Sequence, residues 1–160
     1  MMSFKLIGAA MVMLSSVMFG RMKIAEERGK NAMLTGMTEL VRGIRDHISH
    51  FRRPLGEIYD SLSIPALESC GFMEILRKDS IEHAWESISP MMPKESAAVM
   101  EEFVRRLGSG YREDELELCA YTIRRLESMG EAMSAELKKR EKLYRNLPPL
   151  AALSVVLLVM

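Results

Sequence analysis

Asp46, His47 and His50 are the residues of this chain best spaced to do chemistry. On a helix, imidazoles at i and i+3 share one face, and with a carboxylate beside them they could hold a divalent metal. The remaining histidine, His83, is far along the chain and no His-Glu-x-x-His pattern accompanies the pair. A solvated helix face accounts for the same residues, so His47 and His50 are weak metal candidates and no metal or other cofactor is expected. Cys70 and Cys119 stand apart, without a Cys-x-x-Cys motif or neighbouring histidines, and read as small buried hydrophobes in a reducing compartment. Gly108, Ser109 and Gly110 lack the Lys-Ser/Thr tail of a phosphate-cradling loop, and there is no Gly-x-Ser-x-Gly elbow. No catalytic residue is assigned, and the chain reads as a non-enzyme.

The elements that carry these residues come from a chain of 160 residues, enough for one domain with appended segments. Its 22 Lys and Arg balance 22 Asp and Glu, which leaves no basic field to gather nucleic acid. Fifteen Met against one Trp, five Phe and four Tyr favour adaptable helix packing over a platform for stacking bases.

Both ends are apolar. No charge falls between Leu6 and Gly20, and residues 1–20 read as an N-terminal membrane anchor; Ser16 to Gly20 offers no small-x-small processing site. Residues 146–160 read as a C-terminal membrane segment, although from Leu147 it rises only about 21 Å against a hydrocarbon core of about 30 Å. A buried core helix is the alternative for this segment, and Pro148 and Pro149 are expected to kink or restart its helix. Arg21, Lys23, Arg28 and Lys30 follow the first segment, and Lys138, Lys139, Arg140, Lys142 and Arg145 precede the second. By the positive-inside rule residues 21–145 are a cytoplasmic domain tethered to a lipid bilayer. Lys138 to Lys142 could also draw anionic headgroups, but a topology signal explains the same residues.

The middle predicts helices throughout. Met33, Met37, Leu40, Val41, Ile44, Ile48 and Phe51 recur at steps of three and four from Ala32, and Pro54 ends that helix and opens a short one through Leu55, Ile58, Tyr59 and Leu62. A segment from Ala66 to Lys78 contains Gly71, which weakens its regularity; Asp79 or Ser80 then caps a helix with Ile81, Ala84, Trp85 and Ile88. Residues 89–93 form a loop, Lys94 to Leu107 a further helix stopped at Gly108, and a long helix runs from about Arg112 toward Arg145 with Leu116, Cys119, Ile123, Leu126, Met129, Met133 and Leu137. Trp85, on an apolar stripe, reads as core before partner anchor. The class is all-α, a bundle of about six helices flanked by the two membrane segments.

Several residue groups, in order, resemble stage III sporulation protein AB: Ile48, Phe51, Pro54 and Leu55; the Ala84–Trp85 pair; Leu107 and Gly108 with Arg112 and Glu113; and Lys142, Leu143, Tyr144 and Arg145. The chain departs from that pattern at His47, where the family carries an acid, and at Pro148, where it carries a glycine. The resemblance implies a helical bundle similar to the soluble domain of the type II secretion inner-membrane platform protein F. It also implies a non-catalytic place in the sporulation channel complex of the mother-cell membrane around the forespore, beside a secretion-type ATPase. A membrane-anchored helical signalling adaptor and a small membrane metalloprotein on His47 and His50 are the alternatives.

Overall fold

A computed structural model describes residues 2–50 and 55–159, with side chains described for 11, 14, 15, 17–50 and 57–143. Seven α-helices occupy the described residues: α1 (Met2–His50), α2 (Leu55–Ser61), α3 (Pro65–Glu68), α4 (Phe72–Lys78), α5 (Ile81–Ile88), α6 (Lys94–Arg106) and α7 (Arg112–Val159), with a 3-10 turn at Ser89–Met91. The all-α expectation holds. The flanking membrane segments are not found as separate spans. Residues 2–20 are the start of α1 and residues 146–159 the end of α7. Among the described residues no helix is long and apolar enough to cross a membrane. Side chains 1–10 and 144–160, on which the two expected segments largely depend, lie outside the described residues, as do Phe51 and Pro54. Pro148 and Pro149 fall inside α7 and do not restart it.

Local sequence sets the shorter elements. The expected helix from Ala66 to Lys78 is two helices, because Gly71 takes a left-handed φ of 79° that breaks the first and opens the second. Pro65 starts α3 at a position where a missing N–H costs nothing. Ser80 caps α5, its hydroxyl accepting from the His83 backbone N–H at 3.3 Å. Leu107 turns extended after α6, and Gly108 follows with a φ of 82°.

The chain divides into two compact units, residues 30–132 and residues 1–29 with 133–160. The first is a bundle whose core holds Leu34, Met37, Leu40, Val41 and Ile44 from α1, Phe72, Met73 and Leu76 from α4, Ala84, Trp85 and Ile88 from α5, Met100 and Phe103 from α6, and Cys119, Ile123 and Leu126 from α7. Burying a side chain of this size is worth about 1.5–3 kcal/mol before the entropy of ordering it, so this face of α1 is what anchors it. Within the bundle Gly36 and Gly43 let neighbouring residues approach α1: a Cβ at Gly36 would meet Leu67 Cγ at 3.0 Å, and one at Gly43 would meet Leu62 Cδ2 at 2.6 Å. Arg77 fastens the loop before α3 to α4, donating to the Leu62 carbonyl at 2.7 Å.

In the second unit α1 leaves at Gly29 and α7 enters at Met133, so the two run antiparallel. Arg28 Nε donates to Glu141 at 2.8 Å and Arg140 to Glu27 at 2.6 Å. At about 1.5 Å of rise per residue on both helices, this register brings the Gly20 backbone level with about residue 148.

Candidate functional site

The groups that the sequence marks converge in the bundle at the turn from α6 to α7 and the end of α1. Leu107 and Gly108 leave α6 and Arg112 opens α7. Arg112 Nε donates to the Ile48 carbonyl at 3.0 Å and its Nη2 to the Ser49 carbonyl, so one guanidinium satisfies two carbonyls at the α1 C-terminus. A helix leaves its last carbonyls without intrahelical donors, and a cation placed there also meets the negative end of the helix dipole. One turn on, Glu115 folds back: its Oε1 accepts from the Gly108 N–H at 2.8 Å and the Gly110 N–H at 3.1 Å. Glu115 is 8% exposed and its Oε2 is buried with no hydrogen-bond partner. Burial first, and the Glu115 charge second, push the Cys119 thiol one turn away up to about 12, which keeps it protonated and unreactive at neutral pH.

Beside this turn an open groove of about 400 Å³ is lined by residues including Glu102, Arg106, Asp114, Glu117, Tyr121 and Arg124. Glu102 and Arg106 pair across one helical turn at 3.2 Å, and Tyr121 is exposed.

The remaining marked residues separate. Ala84 and Trp85 are core, at 0% and 6% exposed, which removes Trp85 as a surface anchor. Glu113, Lys142 and Leu143 are exposed, Leu55 opens α2, and the side chains of Tyr144 and Arg145 lie outside the described residues. His47 Nε2 lies 3.3 Å from Ser61 Oγ, while His50 Nδ1 lies 2.6 Å from Ser49 Oγ and 3.0 Å from the Asp46 carbonyl. Among the described residues no three His, Cys, Asp or Glu side chains gather as a metal site. Sequence reasoning missed Glu115. Three other acids, Glu113, Asp114 and Glu117, share its stretch, and only the path of the Gly108–Gly110 turn selects the one that folds back.

Leu107, Gly108 and Arg112 thus make a structural joint, in a chain that the family model for stage III sporulation protein AB matches over residues 5–160. The chain belongs to that family. Membership gives it a part in stage III of sporulation. No curated protein and no solved structure matches.

Proposed function

We propose that this protein is a non-catalytic structural subunit of the sporulation channel complex in the mother-cell membrane around the forespore. Residues 1–29 with 133–160 form its bilayer tether, and residues 30–132 face the cytoplasm beside a secretion-type ATPase, in the manner of the soluble domain of the type II secretion platform protein F. The observation that carries this reading, together with family membership, is the apolar surface of the tether. Met11, Leu14, Val17, Met18, Phe19 and Met22 are all exposed along α1, an arrangement that water disfavours and hydrocarbon accepts. The register of α1 on α7 sets the uncharged run of Leu6 to Gly20 beside the uncharged run that begins at Leu147, so two stretches each near the lower length limit enter a bilayer as a hairpin.

The test is copurification. Full-length tagged protein, solubilised in mild detergent from sporulating cells, is expected to bring down a secretion-type ATPase or ring-forming subunits. Recovery of the protein alone, in cells where those partners are abundant, overturns the platform reading. Release of the protein from membranes by alkaline carbonate overturns the tether.

A further inference from the structure

Charge in the tether unit is sorted. Its four carboxylates are all held by cations: Glu26 by Lys23 at 3.4 Å, Glu27 by Arg140 at 2.6 Å, Glu136 by Arg140 at 3.3 Å and Glu141 by Arg28 at 2.5 Å. Among the described side chains of the unit, four cations are left over. Arg21, Lys138, Lys139 and Lys142 are exposed and enter no ion pair among the described residues.

Their position along the unit is as specific as their charge. Arg21 directly follows Gly20, where the uncharged run of α1 ends. Lys142 precedes Leu147, where the uncharged run of α7 begins, by about 7.5 Å of helix rise, and Lys138 precedes it by about 13 Å. A headgroup layer is about 5–7 Å deep on each side of the hydrocarbon, and charge is felt about 8–10 Å beyond it at ordinary salt. Leu137 is buried on α7; at about 100° per residue Lys138, Lys139 and Lys142 stand about 100–160° around the helix from it, on the outward side. Met22 and Leu143, exposed beside Arg21 and Lys142, continue the apolar surface up to the basic residues.

We infer that Arg21, Lys138, Lys139 and Lys142 form a collar that binds anionic lipid headgroups and gives the tether a preference for phosphatidylglycerol-type lipids over zwitterionic ones. The inference rests on the tether reading. A lipid surface is the occupant because the cations share their helices with an exposed apolar face and lie at the level where the uncharged runs begin; an acidic protein would match the charge alone. A topology signal requires only that positive residues flank a segment, whereas the pairing of every acid in the unit leaves a net cationic surface that attracts anions.

The full-length chain, reconstituted from detergent into vesicles of mixed phosphatidylcholine and phosphatidylglycerol, is probed with trace spin-labelled analogues of each lipid. Motional restriction of labelled phosphatidylcholine reports the tether itself. The collar is expected to favour phosphatidylglycerol by about fivefold, the equivalent of about one effective basic contact per lipid, and the preference should shrink in high salt. It should fall by more than half in the Lys138→Gln, Lys139→Gln, Lys142→Gln variant, which keeps Arg21 and whose changes are at exposed positions, with phosphatidylcholine restriction unchanged. Equal restriction of both lipids by the natural chain, or an undiminished preference in the variant, overturns the collar and leaves the tether standing. Restriction of neither lipid overturns the tether and the collar with it.

Discussion

Replacing Glu115 tests whether one carboxylate holds the joint between α6, α7 and α1. Its Oε1 is the acceptor for both the Gly108 and Gly110 N–H groups, while its Oε2 has no partner. Hydrogen bonds to a charged group contribute about 1.5–3 kcal/mol each. Gly108 and Gly110 are exposed, so water can replace part of what is lost, and the lower end of that range applies. Glu115→Ala is therefore expected to cost about 3 kcal/mol. Glu115→Gln keeps an acceptor oxygen for both donors and puts its amide where Oε2 already lies unpaired, so it should cost under about 1 kcal/mol. The chain has a single tryptophan, Trp85, buried in the bundle, which reports unfolding of that unit alone. Urea titration in mild detergent, followed by Trp85 fluorescence, should give a midpoint that falls for the alanine variant with its slope unchanged. Equal costs for alanine and glutamine would refute the reasoning, because the hydrogen bonds would then contribute no more than the packing of the side chain.

Other substitutions read other parts of the fold. Gly36→Ala should destabilise by about 1–3 kcal/mol despite alanine's higher helix propensity, since its Cβ meets Leu67, which is fully buried and has nowhere to move. Gly43→Ala should be near neutral by the same titration, because the atom in its way is the far end of half-buried Leu62. Phe103→Ala, at the centre of the core, is expected to cost about 3–5 kcal/mol. Alkaline unfolding follows from two buried acids. Burial, with Glu82 adding to it, pushes Tyr59 from 10.0 up to about 12, and burial with Glu115 pushes Cys119 from 9.0 to about 12. Each releases its proton more readily when unfolded, so their contribution is complete below pH 9 and is lost as pH rises toward 12; Cys119→Ser with Tyr59→Phe should flatten that decline.

Much of the bundle was legible because its punctuation is local. Ser80 and Gly108 act through their own side chain or backbone, and each marks a boundary that the structure keeps, whereas Gly71, expected only to weaken a helix, splits it in two. The core was legible where a short helix carries one clean apolar stripe, as for Ile81, Ala84, Trp85 and Ile88 on α5. It was less so on α1 and α7. Leu34 and Leu118 are buried but fall outside the expected stripes. On α1 the cause is visible: Leu34 lies against Gly130 of α7 while Gly36 and Gly43 face Leu67 and Leu62, so apolar contact extends around more of the helix than one stripe. The joint itself was legible only as a group of residues that carries the family resemblance. Arg112 is recognisable by type, but its two acceptors are backbone carbonyls at Ile48 and Ser49, which leave no trace in side-chain chemistry.

The antiparallel pairing of the first helix with the last sets a timetable for synthesis. Arg28 must wait for Glu141, 113 residues later, which at about 5–20 residues per second is about 6–23 s of translation. Through that interval Leu67 and Leu62 can already settle on Gly36 and Gly43, while the exposed Met11, Leu14, Met18, Phe19 and Met22 have no helical companion. A nascent chain in this state completes its helical pairing only when α7 arrives, so slow translation between Arg112 and Glu141 would prolong the stage most open to premature aggregation.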